Sequence, residues 1–239
     1  MTLQRVTGQT KTGLVTVLYG ALGTLKSTTA SLMARPIVGQ YSLRGGLTRI
    51  ADKLPVYNLD SVGDVVQFAH LVGGKDTLPT YDTVIVDDID LMMADAISLR
   101  MADAIREGGN LFSPYTQVYG IAGGALHKIM LLKAQGKNVI ITCGEHRSKG
   151  VVMNSKGKEV PVSCYRPDFP QAFWRELGRL VDLVGYCAVF GDGTVKMLTQ
   201  SHVSDTRKIE AKCTLGLGFP RTMVLGLTVQ TNEFVQLVK

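Results

Sequence analysis

Short apolar, β-branched runs alternate with amphipathic stretches over the first two thirds of the chain. Residues 14–19 (LVTVLY), bounded by Gly13 and Gly20, predict a buried strand, and so do residues 83–86 (TVIV) and 138–143 (NVIITC). Between them the pattern predicts helices. Residues 27–33 carry good helix formers and must stop before Pro36. Residues 94–107 read as a helix ended by Gly108-Gly109. Ser113-Pro114 gives a cap followed by proline at the first helical position, which opens a long helix to about Gln135, with Gly136 as its stop.

Uniformly apolar strands separated by helices signal a mainly parallel sheet covered on both faces, an α/β architecture. Beyond Cys143 the pattern changes. Residues 151–162 around 154–157 (NSKG) and residues 184–198 around 191–193 (GDG) predict hairpins, with a short helix from Pro170-Gln171 to about Leu180 between them. The expectation is one domain over 1–239, with a core at about 14–145 and a hairpin-rich part at about 146–239.

Composition supports a folded chain. Of 239 residues, 45% are apolar, 19% are charged and 8 are proline, which excludes disordered, collagen-like and mucin-like classes. The N-terminal MTLQRVTGQTKTG has neither a signal-peptide core nor a transit-peptide pattern, and no apolar run reaches about 18 residues. A cytoplasmic protein with no membrane association is expected. Cys143, Cys164, Cys187 and Cys213 form no CxxC pair, so they read as reduced structural thiols. The net charge of +6 permits an anionic partner without demanding one. It is unevenly spread: seven acidic residues face two basic ones between Asp82 and Glu107, whereas seven basic residues face four acidic ones between Glu145 and Arg179.

The sharpest chemical signal follows the first strand. Gly20-Ala-Leu-Gly-Thr-Leu-Lys26-Ser27 matches the phosphate-binding template G-x-x-x-x-G-K-[ST] except that Leu25 replaces the second glycine. Gly20 permits the turn out of the strand, and backbone N–H groups over Gly23, Thr24, Leu25, Lys26, Ser27 and Thr28 can ring a phosphate. Lys26 neutralises phosphate charge, and the Ser27 hydroxyl can ligate Mg²⁺. Should position 25 require positive φ, leucine there costs about 1–2 kcal/mol.

The strand over 83–86 runs into Asp87-Asp88, with Asp90 beyond. In a phosphate-loop protein a carboxylate at this place holds Mg²⁺, which suits Asp87; Asp88 or Asp90 could polarise the attacking water, and Asp90 equally suits a helix cap. Residues 142–147 (TCGEHR) would face the same crevice at the end of the third strand, with His146 the candidate γ-phosphate sensor.

The order of these motifs resembles the phage-encoded RecA-like P-loop ATPases, AAA-type proteins of single-strand annealing and recombination. The residues that carry the resemblance are 19–27, 81–88 (YDTVIVDD), 115–119, 138–147, 167–182, 207–212 and Gly218-Phe-Pro-Arg221. It implies a RecA-like fold, ATP and Mg²⁺ as cofactors, Lys26 and Asp88 as catalytic groups, and a ring or filament of identical subunits. Arg207, Lys208 or Lys212 would then contact a neighbour's nucleotide. Two departures stand out: Leu25, and the lack of a clear acidic equivalent after the second strand, where this chain offers residues 41–46 (YSLRGG).

The resulting expectation is an ATP-dependent protein acting on single-stranded DNA. Lys149, Lys156, Lys158 and Arg166 are the phosphate contacts, and Tyr165 would stack a base. Arg5, Lys11, Arg44 and Arg49 form a second-choice basic set. The alternative is a protein that kept the fold, lost turnover and serves a structural or assembly role in a phage particle; single-strand-binding or virion proteins are the corresponding partners. A small-molecule kinase lacks an arginine-rich lid, and a dinucleotide-binding protein lacks GxGxxG after the first strand.

Overall fold

The computed structural model describes residues 12–44, 53–154, 156–204, 206–215 and 219–238. Arg5, Lys11, Gly45, Gly46, Arg49 and Gly218 lie outside the described residues, as does the side chain of Arg44.

In chain order the elements are β1 (Val15–Tyr19), α1 (Lys26–Ser31), β2 (Pro36–Gln40), β3 (Val56–Asn58), α2 (Val62–Gly73), β4 (Thr83–Asp87), α3 (Ile89–Arg106) and α4 (Ser113–Met130). Then come β5 (Asn138–Cys143), β6 (Glu145–Met153), β7 (Glu159–Pro167), α5 (Gln171–Leu177), β8 (Leu183–Val189) and β9 (Val195–Leu198). The chain closes with β10 (His202–Val203), β11 (Arg207–Ile209), β12 (Lys212–Cys213), β13 (Thr222–Val224) and α6 (Glu233–Val238).

The main sheet runs β13-β9-β8-β1-β5-β4-β2-β3. From β8 to β3 every neighbour pair is parallel, and β9, β13 and β12 add antiparallel at one edge. The phosphate-loop strand β1 and the aspartate strand β4 are thus separated by β5. This is the mainly parallel, helix-flanked α/β arrangement that the apolar runs predicted.

All residues of β1 and β4 are buried, because helices cover both faces. On one face Val15, Val17, Val84, Val86, Val139 and Ile141 pack with residues of α2, α3, α4 and α5. On the other, Leu18, Val38, Ile85 and Ile140 pack with Ala30 of α1, with Met33 just beyond it, and with Phe234 and Val235 of α6. Side chains alternate between faces along each strand, so one register fixes which residues can meet α1.

Three expectations change in detail. The helix expected over 94–107 starts at Ile89, directly after the aspartate strand, because Ile89, Met92 and Met93 are buried at its start. β2 and α2 were not anticipated: β2 is a five-residue segment opening on proline, and α2 is announced chiefly by the Ser61–Asp64 capping box. The expected arm 184–189 is both a hairpin partner of β9 and a parallel neighbour of β1.

A second sheet, β10-β11-β7-β6, carries the long β6–β7 hairpin. Only Gly144 separates β6 from β5.

Candidate functional site

The loop between β1 and α1 is shaped by two glycines and one strained leucine. A Cβ on Gly20 (φ 150°) would lie 2.1 Å from the Cys187 carbonyl oxygen of β8, so only glycine fits there. Gly23 has φ 79°. Leu25, at the consensus glycine position, takes φ 58° and ψ 19°. The positive φ considered from the sequence is therefore realised, and leucine bears it. Its half-buried side chain packs against the apolar cluster of Leu18, Ala30 and Met33, and this burial offsets part of a backbone cost of about 1–2 kcal/mol.

Lys26 folds back over the loop. It is only 7% exposed, and its Nζ donates to the carbonyls of Gly20 (2.8 Å) and Ala21 (2.9 Å). Thr24 Oγ1 donates to the Ala21 carbonyl as well (2.8 Å). The ammonium is thereby held at the loop's mouth, where anionic oxygens can replace neutral carbonyls as its partners.

The loop and the aspartate strand meet directly. Ser27 Oγ donates to Asp87 Oδ1 at 2.7 Å across sixty residues of sequence, and Thr142 Oγ1 donates to the same oxygen. Asp87 is 2% exposed; burial pushes its pKa up, while the bonds from Thr142 and Ser27 and the charge of Lys26 pull it down. Asp88 occupies the N-cap position of α3 with φ 55°, and its backbone N–H donates to Thr142 Oγ1 (3.1 Å). A hydroxyl and a carboxylate side by side, with an ammonium near, form the hard-oxygen donor set that fits Mg²⁺ and a phosphate chain. Ser27 and Asp87 would hold the metal, and Lys26 the phosphates.

The family of the chain is decided by its sequence match. Residues 12–212 match the profile of the AAA domain. The chain belongs to that AAA domain family. The match spans the phosphate loop, the aspartate strand and the β6–β7 hairpin of this AAA domain. Among solved structures, the flagellar accessory protein FlaH from Methanocaldococcus jannaschii is similar at 11% identity and a TM-score of 0.39, over 90% of this chain and 85% of that one. No match was found among curated proteins. This AAA domain is thus a P-loop nucleotide-binding protein, of a family that binds ATP with Mg²⁺.

Several predicted site residues stand elsewhere than expected. His146 lies in β6, half-exposed, with Nδ1 3.6 Å from Asp168 Oδ1; the residue of that segment brought to Asp87 is Thr142. Asp90 neither caps α3 nor joins Asp87: it is 6% exposed, and its Oδ2 accepts the Gly144 N–H at 2.9 Å. Tyr165 is buried, with the Arg147 guanidinium 4.9 Å from its ring centroid and Tyr186 5.7 Å away, so it cannot stack a base. Arg166 is half-buried and donates to the Phe169 carbonyl (2.5 Å). Lys149 pairs in register with Ser163, three residues from Arg166, so the two cations point to opposite faces of the hairpin. Lys149, Lys156 and Lys158 are exposed.

Of the inter-subunit candidates, Lys212 is tied internally, donating to the carbonyls of Gly178 (2.9 Å) and Val181 (2.6 Å). Arg207 and Lys208 are exposed on opposite faces of β11.

Among the described residues no helix is long and apolar enough to cross a membrane. One residue beside Asp87 was not singled out from the sequence. Gln40, the last residue of β2, lies in register with Asp87. The signal was its place at the end of an apolar run, immediately before the segment over 41–46 where an acidic residue was sought.

Proposed function

We propose that the chain hydrolyses Mg-ATP and uses the cycle to act on single-stranded DNA in phage recombination or annealing, as a homo-oligomer in the host cytoplasm. The observation that carries the nucleotide half is the Ser27–Asp87 contact at 2.7 Å, with Lys26 held at the mouth of the same loop. When bound, Mg-ATP supplies the phosphoanhydride bond; the chain's part is to bind it, neutralise its charge with Lys26, and expose it to Asp88.

The β6–β7 hairpin supports the DNA half. It leaves the sheet one residue after β5, the strand whose Thr142 bonds Asp87, and it carries Lys149, Lys156 and Lys158 in solvent. A cationic arm joined to the phosphate site through a single strand is a direct route from nucleotide state to backbone contact. Exposed apolar side chains at the α3–α4 end, Leu99, Ile105, Phe112 and Tyr115, support subunit association. In such an assembly Arg207 or Lys208 is free to reach a neighbour's nucleotide.

The test is ATP hydrolysis by the purified protein with and without single-stranded DNA, beside calorimetric nucleotide binding. DNA-stimulated turnover supports the reading. Binding without turnover selects the second reading, a structural or assembly protein of the phage particle, which is favoured by Leu25 in a strained conformation and by an amide rather than a carboxylate at Gln40. Absence of nucleotide binding overturns both.

A further inference from the structure

A cavity of about 610 Å³ opens where the second sheet folds over the β8–β9 hairpin. Tyr186, Phe190 and Leu198 line it from the hairpin, Arg207 and Ile209 from β11, and Arg221 from the residue before β13. Strand alternation separates it from the phosphate site. Cys187, whose carbonyl packs against Gly20, and Met197 lie in the cluster on the α1 side of the sheet, whereas Tyr186 and Leu198 pack in the cluster on the other side. The cavity therefore sits on the face of β8 and β9 opposite α1.

Its walls are held by bonds of the fold itself. The Tyr19 hydroxyl donates to the carbonyls of Glu210 (2.6 Å) and Tyr165 (3.2 Å), which pins the second sheet to β1. The Thr199 N–H donates to the Arg221 carbonyl (3.0 Å), and Ser201 Oγ both donates to the Ala211 carbonyl (2.7 Å) and accepts its N–H (3.1 Å). The lining is divided in character. Tyr186, Phe190, Leu198 and Ile209 supply aromatic and aliphatic surface, and Arg207 and Arg221 supply charge. Among the described residues no carboxylate lines the cavity, and neither guanidinium is in an ion pair. Two arginines at a cavity of ligand size, with no acid to neutralise them, select an anion; the rings beside them select one with a flat, apolar body.

We propose that this cavity binds a nucleoside monophosphate unit, with the base against Phe190 and Tyr186 and the phosphate on Arg207 and Arg221. This goes beyond Mg-ATP at the phosphate loop, because it assigns a second nucleotide site on the other face of the sheet. A guanidinium offers parallel N–H donors that match two phosphate oxygens, and a base supplies the planar surface that aromatic rings favour. Gln200, also in the lining, carries a carboxamide able to donate and accept at a base edge. A free mononucleotide and one nucleotide of a single strand present this same chemistry. Arg207 faces the cavity with Ile209, so Lys208, on the opposite face of β11, is the residue left for a neighbour's nucleotide.

The experiment is calorimetry without magnesium, with dTMP, hexathymidylate and inorganic phosphate as separate probes. dTMP has no β-phosphate for the loop to ring, and Lys26→Ala controls for that site. Joint replacement Arg207→Gln and Arg221→Gln removes both charges; the two side chains are exposed, so Tm is expected to stay within about 2 °C of wild type. dTMP is expected to bind wild type and Lys26→Ala alike, and the double arginine variant at least about tenfold more weakly. Phe190→Leu, which keeps apolar bulk and loses the ring, should weaken dTMP by about fivefold or more. Where dTMP shows no binding and hexathymidylate shows the same dependence on Arg207, Arg221 and Phe190, the proposal holds and the unit belongs to a strand; where dTMP itself binds so, it is a free nucleotide. Inorganic phosphate binding as tightly as dTMP overturns the proposal by making the cavity a plain anion site. Wild-type affinity in the double arginine variant, loss of dTMP in Lys26→Ala, or no binding of either nucleotide probe overturns it as well. A protein that binds dTMP here and no Mg-ATP fails only the phosphate-loop reading, and the reverse result fails only this one.

Discussion

Asp90 accepts the backbone N–H of Gly144 at 2.9 Å, which ties the first turn of α3 to the single residue joining β5 to the β6–β7 hairpin. The other carboxyl oxygen, Oδ1, is buried without a partner. Burial is the main reason the Asp90 pKa is pushed up to about 7; the Gly144 bond works against it, and the charges of Asp88 and Asp168 add to it.

A pH dependence of stability follows. In the folded chain Asp90 keeps its proton up to about pH 7, whereas an unfolded aspartate loses it near pH 3.9. Between these values the folded state binds more protons, so this group's contribution is full below about pH 4 and is lost as pH rises toward 7, at up to about 1.4 kcal/mol per pH unit. Asp90→Asn should flatten that part of the profile. Chemical denaturation at pH 5, 6, 7 and 8 checks it; an unchanged slope in the variant would assign the dependence to other groups.

Lys26→Ala should abolish tight Mg-ATP binding, since it deletes the cation at the loop's mouth. Because the ammonium is buried on the Gly20 and Ala21 carbonyls, the variant should also lose about 1 kcal/mol of stability. Calorimetry and thermal melting together separate the two effects. Asp87→Asn should make nucleotide binding less dependent on magnesium, read from titrations at several Mg²⁺ concentrations. Wild-type magnesium dependence in that variant would make Asp87 a structural partner of Ser27 and Thr142 only.

The phosphate loop and the aspartate strand were legible in the sequence because both lie where local chemistry and chain order coincide. Gly20 and Asp87 sit at the ends of apolar runs that read as buried strands, Lys26 and Ser27 open the helix that follows the first of them, and the sheet then brings these segments together. What was not legible depends on register. Nothing local says that Gln40 lies beside Asp87, since 46 residues and an unanticipated helix intervene. Tyr165 looked like a stacking platform because basic residues surround it. The alternation of β7 instead turns it inward onto Tyr186, and Lys212 is consumed by carbonyls that only the fold supplies.

Leu25→Gly tests whether the strained loop is tuned or merely tolerated. Glycine removes a positive-φ cost of about 1–2 kcal/mol. It also removes a half-buried side chain that packs on Leu18, Ala30 and Met33, and raises the entropy of the unfolded chain by roughly 0.5–1 kcal/mol. The terms nearly cancel, so stability should change by less than about 1 kcal/mol. Nucleotide affinity should rise modestly, because glycine frees space around the loop. A clear loss of affinity would show that the Leu25 side chain itself holds the loop in its binding shape.

The hairpin offers a separable test of the DNA proposal. With Tyr165 buried and Arg166 bonded to the Phe169 carbonyl, the phosphate contacts reduce to Lys149, Lys156 and Lys158. Each neutralised phosphate of a single strand releases counterion with a log–log slope of about −0.7, so three contacts give about −2.1. Replacing Lys156 and Lys158 together by alanine should flatten the slope by about 1.4 and weaken binding, with nucleotide affinity unchanged because both side chains lie far along the hairpin from the loop. Tyr165→Ala should act differently: as a buried ring under Arg147 it should cost about 3–5 kcal/mol of stability rather than report on DNA contact. Fluorescence anisotropy of a labelled single strand at graded salt reads the first effect, and thermal melting the second. A double lysine variant with wild-type affinity and slope would reduce the hairpin to a solvated arm and move the search for a DNA surface to Arg207 and Lys208 on β11.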